Sequence, residues 1–167
     1  ALLVGLDIGR GATVAAMRGI DLATGLVRDT GMWVWAAELM PVAVRVLAAS
    51  ERAAESVSLL EEFAGAVAGL DTPLGHAAVD HCRGVLAERG NDPATAITHY
   101  DAARAGYAAL PRPQTVAQLY LARGRCRLRG GDTAGIDDVA LAAGMFDELG
   151  AAAPADQCRR LLREYAA

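Results

Sequence analysis

The chain has no lysine beside sixteen arginines, a single asparagine (Asn91) and only four isoleucines. This bias matches a GC-rich coding sequence and points to a bacterial source, without bearing on mechanism. Aromatic residues make up 5% of the 167 positions while alanine supplies 37. A core built on large rings is thereby excluded, and the elements must approach closely through small side chains. Cys82, Cys126 and Cys158 each stand alone, with no CxxC or CxxH companion. That spacing excludes a disulfide framework and a zinc site, and reads as buried free thiols in a reducing compartment, hence the cytoplasm. The most apolar stretch, residues 32–49, is interrupted by Glu38, Pro41 and Arg45, and no basic leader opens the chain, so no membrane span is expected. Nothing alternates with the period of a strand for long enough to form one.

The net charge of −4 is unevenly placed: residues 1–71 carry five arginines against nine acids, while residues 111–130 carry five arginines and no acid. A nucleic-acid footprint needs a clustered basic face and a recognition fold, whereas these arginines spread around one helix. Their stems are expected to cover apolar surface with the guanidinium groups in water, and no direct nucleic-acid contact is expected from this segment. The length suits one domain.

What is present is a repeat. Arg89-Gly90-Asn91-Asp92 returns forty residues later as Arg129-Gly130-Gly131-Asp132, each time between two apolar helical stretches. Weaker copies of the turn stand at Arg10-Gly11-Ala12 and near Ala49-Ser50-Glu51. Thr72-Pro73 and Asp92-Pro93 each place a capping side chain before a first-turn proline, and Asp132 stands where Asp92 stood. Pro111-Arg112-Pro113 stops the helix that reaches Leu110. Pro41 either stands in the first turn of a helix that begins near Met40 or, as favoured here, kinks or breaks the helix expected over 33–49, and Thr24-Gly25 with Asp29-Thr30-Gly31 marks a loop over 21–31 or a helix interrupted there. The helix over 51–70 is expected to turn Ala54, Val57, Leu60, Ala64 and Val67 inward, with Glu55, Glu61 and Glu62 in water. These boundaries give one all-α domain: hairpins over about 1–20, 32–70, 72–110 and 113–149, and a capping helix over 154–166.

Gly84, Ala96, Tyr100 and Ala103 resemble in spacing the tetratricopeptide pattern, in which small residues sit at helix crossings and an aromatic fills between them. Forty residues on, Gly124, Ile136, Ala140 and Ala143 keep that spacing with large and small positions altered. The resemblance implies a superhelix of about four hairpins. With phrases such as His81-Cys82-Arg83-Gly84, Asp132-Thr133-Ala134 and Phe146-Asp147-Glu148-Leu149, residues 32–165 also resemble the region before the DNA-binding module of large LuxR-type, ATP-binding transcription regulators. This second resemblance implies a sensor region in a longer polypeptide, partnered by an ATPase module and a helix-turn-helix module. It implies that a small-molecule or peptide effector binds the concave face. A protein-interaction scaffold without a small ligand is the alternative, and the open end of such an array also offers a homodimer contact. Nucleotide hydrolysis does not carry over, because no GxxxxGK[ST] loop is present; no cofactor and no enzymatic activity are expected.

Two faces are candidates for the binding surface. His76, Asp80 and Arg83 share one side of their helix, and Val116, Tyr120 and Arg123 take the equivalent places forty residues on, joined by Arg127. A strict tetratricopeptide alignment turns in His81, Gln118 and Arg125 instead. Guanidinium forks beside a tyrosine and an aspartate suit a polyol, a carboxylate or a peptide; the competing explanation is a solvated face laced with internal ion pairs. Trp33 and Trp35 lie about 200° apart on a helix, so at least one belongs at an edge or seam. Val4-Gly5-Leu6-Asp7-Ile8-Gly9-Arg10-Gly11 looks like the first phosphate loop of actin-like sugar kinases, but the helical remainder has no place for that two-domain fold. His99 and Tyr100 have no Ser or Cys nearby in sequence to act as nucleophile, and Asp137-Asp138 and Glu61-Glu62 splay around their helices rather than form an acid–base pair.

Overall fold

The computed structural model describes residues 10–165, and among these residues every regular element is helical and there is no strand. In order they are α1 (Arg10–Thr30), a 3-10 segment (Trp33–Glu38), α2 (Met40–Ala48), α3 (Ala53–Val67), α4 (Pro73–Arg89), α5 (Pro93–Ala108), α6 (Pro113–Arg129), α7 (Ala134–Glu148) and α8 (Ala152–Tyr165). The helices pair as α2 with α3, α4 with α5 and α6 with α7; α4 also packs on α2, α6 on α5, and α8 covers α7. This is an all-α, tetratricopeptide-like stack of helical hairpins with a capping helix at its C-terminal end. Among the described residues no helix is long and apolar enough to cross a membrane.

The turns follow from their residues. Thr72 Oγ1 accepts the Gly75 N–H at 3.2 Å, and Asp92 Oδ1 accepts the Thr95 N–H at 3.1 Å, each just ahead of a first-turn proline. At the helix ends, Asn91 and Gly131 adopt φ of 60° and 80°. There the Asp92 and Asp132 N–H groups reach back to the Ala87 and Arg127 carbonyls at 2.9 and 3.0 Å, satisfying acceptors the helix leaves open. Pro41 stands in the first turn of α2, and the residues before it tighten into the 3-10 segment, so the proline marks a break.

Three expectations change. The hairpin over 1–20 falls partly outside the described residues, as do nearly all of residues 4–11. From Arg10 the chain runs as one helix to Thr30, and it bends at Gly31, whose φ is 68°. Thr24 does not end this helix because its hydroxyl donates to the Ile20 carbonyl at 2.8 Å, four residues back, and stays buried. Second, α3 buries Ser56, Leu59, Leu60, Phe63 and Val67, while Ala54 and Val57 are exposed. Phe63 lies against Trp33 at 6.5 Å between ring centroids, and this contact sets the inward face.

Third, α7 does not keep the forty-residue register of α6. Gly135, Val139, Ala142 and Phe146 stand in α7 where Ala96, Tyr100, Ala103 and Tyr107 stand in α5, a step of 39, whereas Ala140 is exposed and Ile136 only half-buried. The cause is the start of α7. Gly135 and Ile136 donate to the Asp132 and Thr133 carbonyls, three residues back, where Ala96 donates to Asp92, four back. The tighter turn overwinds the chain and advances the face it presents.

Apolar packing divides into two bodies. One runs from Ile20 through α2, α3, α4 and α5 to Leu119, Ala122 and Cys126 of α6. The other joins Ala117, Leu121 and Leu128 of α6 to α7 and α8 through Val139, Phe146, Ala155 and Cys158. All three cysteines are free and buried.

Candidate functional site

The helices α2, α4 and α6, the first arms of the three hairpins, wall a groove of about 390 Å³. Pro41, Val42 and Arg45 come from α2, Leu74 and His81 from α4, Tyr107 from α5, and Pro113, Gln114, Thr115 and Gln118 from α6. Glu38 and Arg112 face each other at its edge in an ion pair. His81 is 2% exposed, and its ring meets Tyr100 and Tyr107 edge-on at 6.2 and 6.3 Å between centroids. Its Nε2 lies 3.2 Å from Nη2 of Arg45. A guanidinium can only donate, so Nε2 is the acceptor and the proton sits on Nδ1, which is buried without a partner. Burial, reinforced by the Arg45 charge, pushes the His81 pKa down to about 3, and the imidazole is neutral. Among the described residues Arg45 has no carboxylate within ion-pair distance.

This wall has a consequence for stability. With the folded-state value near 3 and the ordinary value near 6.5, the unfolded chain takes up a proton that the folded chain refuses as pH falls below about 6.5. Each pH unit across that window costs up to about 1.4 kcal/mol, and the loss is complete only near the folded value. Chemical denaturation of the parent protein is therefore expected to show stability falling by about 1 kcal/mol between pH 6.5 and 5.5, with His81→Phe flattening that slope. An unchanged slope in the variant would mean that His81 is protonated in the fold.

The two candidate faces fare differently. His81 and Gln118 line the groove; Asp80, Arg83, Tyr120, Arg123, Arg125 and Arg127 are absent from its walls. Asp80 faces α5, where His99 Nδ1 approaches its Oδ1 at 3.2 Å, and Arg83 reaches the same carboxylate at 3.6 Å. Arg123 is turned between helices: Nε donates to Asp138 Oδ2 at 2.9 Å, and another guanidinium nitrogen pairs with Asp101. Arg127 donates to the same Asp138 oxygen at 2.8 Å. The guanidinium carbons of Arg123 and Arg104 stand 5.1 and 5.3 Å from the centre of the Tyr120 ring. The face carrying Tyr120, Arg123 and Arg127 is thus filled by α5 and α7 and leaves no open groove.

Arg125 pairs with Glu88 across the α4–α6 seam, its Nε and Nη2 donating at 2.8 and 3.0 Å in a two-point fork. Arg129 and the Tyr100 hydroxyl donate to the same carboxylate at 2.8 and 2.7 Å. Burial opposes the Glu88 charge, but Arg125, Tyr100 and Arg129 outweigh it and hold the carboxyl below its usual range. Each of the five arginines in residues 111–130 is engaged by a carboxylate of this chain. Their excess charge is neutralised within the array rather than displayed as a basic face.

Arg45 is the groove residue that spacing arguments missed. Val44, Gly84 and Gly124 recur at forty-residue intervals, so Arg45 occupies in α2 the place Arg125 occupies in α6. Extending the repeat backwards finds it. Trp33 is half-buried on Phe63, while Trp35 is 81% exposed beside Leu22, Leu26 and Met32, which are also exposed. Among the described residues no group of three His, Cys, Asp or Glu side chains is placed to hold a metal ion.

Fold and groove together define an all-α helical-repeat protein. No protein-family model matches the chain, and neither a curated protein nor a solved structure matches it.

Proposed function

We propose that this chain is the sensor or interaction domain of a LuxR-like transcription regulator, binding an effector or partner in the groove walled by α2, α4 and α6. The observation carrying the binding surface is Arg45: a guanidinium at a groove wall, bonded to a neutral imidazole and with no carboxylate partner among the described residues. The other arginines around α6 are already engaged, so a ligand meets uncompensated charge here and not at Arg123, Arg125 or Arg127. The attached ATPase and helix-turn-helix modules rest on the resemblance of residues 32–165. In that setting the ligand acts through different affinity for two arrangements of the stacked hairpins, and so biases the attached modules.

A thermal-shift screen against sugars, nucleotides, organic acids and short peptides tests the groove, since a ligand bound only by the folded array raises its midpoint. The expected result is a shift that Arg45→Ala abolishes. A shift that survives Arg45→Ala, or silence across the panel, overturns the groove reading. A Walker loop upstream and a helix-turn-helix downstream in the parent gene test the regulator.

A second reading is a scaffold that docks a protein and takes no small ligand. It is favoured by the apolar surface of α1 and the 3-10 segment, where Leu22, Leu26, Met32 and Trp35 are exposed at 77, 62, 51 and 81%.

A further inference from the structure

We infer that the groove takes a small monocarboxylic acid with a compact apolar body. The inference rests on the groove being a binding surface, as proposed above, and specifies the ligand by the chemistry of the walls. A volume of about 390 Å³ lies within the range of small-molecule pockets, about 300–1,000 Å³. Pro41, Val42, Leu74, Tyr107 and Leu149 give it apolar and aromatic surface, which suits an alkyl or aryl body better than a polyol.

The charges in the walls count to one. Glu38 and Arg112 cancel each other in their ion pair, and His81 is neutral. Arg45 remains, with a single guanidinium hydrogen bond to His81 Nε2. A guanidinium carries five N–H donors in a planar fork that matches a carboxylate in two-point geometry, so most of its donors are open. His81 fixes the fork from behind without neutralising it, and its Nδ1–H stays buried with no acceptor.

The start of α6 adds to this. Thr72 and Asp92 cap α4 and α5, whereas α6 follows Arg112 with no side-chain cap, and Gln114 and Thr115, which line the groove, belong to its first turn. Their N–H groups have no acceptor within the helix, and the helix dipole favours an anion beside them. A dianion such as phosphate or a dicarboxylate finds no second unpaired cation and meets Glu38, so the walls select one negative charge.

Isothermal titration of the purified protein with phenylacetate and octanoate tests this, against their neutral amides, succinate and inorganic phosphate. The acids are expected to bind more tightly than the amides by roughly tenfold or more, because only they accept a charge-assisted pair from Arg45. Arg45→Gln is expected to remove that difference. Val42→Trp, which fills the groove from an exposed position of α2, is expected to block acids and amides alike. Both variants are expected to melt like the parent. Equal binding of acid and amide, or tighter binding of phosphate or succinate, overturns the monocarboxylate while leaving the groove reading intact. So does silence of these probes while another ligand class shifts the midpoint in an Arg45-dependent way. Acid binding that survives both substitutions overturns the inference and the groove reading together.

Discussion

Arg123→Ala is expected to destabilise the protein by about 3–5 kcal/mol, more than truncation of any exposed arginine. Arg123 and Asp138 are 8% and 5% exposed, so the pair is removed from water at the α6–α7 contact. Truncating the guanidinium leaves Asp138 with Arg127 as its remaining cation. Asp101 loses a partner too, but it is half-exposed and keeps Arg104 at 3.5 Å, so the larger part of the cost belongs to Asp138. The Tyr120 ring loses one of its two flanking guanidinium groups. Urea unfolding measures the loss. Replacing both partners, Arg123→Met with Asp138→Leu, is expected to cost clearly less than the sum of the single changes, because the buried Asp138 carboxylate is then removed together with its two-point partner. A change within about 0.5 kcal/mol for Arg123→Ala would mean that the pair stays hydrated, and would return Arg123 to the set of available binding groups.

Gly135→Ala is the second large effect, with an expected net loss of about 2 kcal/mol. Alanine raises helix propensity by up to about 1 kcal/mol over glycine, so a loss requires a steric cost that exceeds this gain. The geometry supplies it. A Cβ at Gly135 falls 2.5 Å from the Gly124 carbonyl oxygen and 2.7 Å from Leu128 Cγ, and one at Gly124 falls 2.8 Å from the Gly135 carbonyl. The obstruction is backbone, which cannot rotate aside, so the two helices must separate and lose packing along their length. Gly144, also in α7, meets nothing within 4 Å, and Gly144→Ala is expected to stabilise by about 0.5–1 kcal/mol through the same propensity difference. Thermal unfolding of the two variants side by side separates crossing from propensity; equal shifts of the same sign would remove the close-crossing argument.

The parts of this fold legible in the sequence are those set by short-range chemistry. Thr72-Pro73, Asp92-Pro93 and the Gly90 and Gly130 turns act within a few residues of themselves, and helices start and stop where they stand. Asp132 is placed like Asp92 but bonds two residues on, to Ala134, and the first turn of α7 tightens after it. A single hydrogen-bond register there moves every later contact of the helix by one residue, and its trace in the sequence is that large and small positions are altered at a spacing of forty and match again at thirty-nine. Thr24-Gly25 has the composition of a loop, yet Thr24 finds its acceptor inside the helix. The site was legible by half. Helical period puts Tyr120, Arg123 and Arg127 on one face and Gln118 and Arg125 on another, but which face is covered depends on Asp101 and Asp138 from neighbouring helices. Burial decides that, and burial belongs to the assembled array.

The division of the apolar interior at α6 bears on how the molecule comes apart. Leu119, Ala122 and Cys126 belong to the body on one side of this helix, and Ala117, Leu121 and Leu128 to the body on the other. A linear stack whose interior is split at one helix has nearest-neighbour cooperativity. The α7–α8 end has an interior separate from that of α2 to α5, so the array is expected to unfold as two cooperative units sharing one helix. The Arg123–Asp138 pair lies on that shared boundary, and apart from Leu149 the groove is built from α6 and the more extensive side, so opening of the C-terminal end is expected to leave the walls around Arg45 and His81 in place.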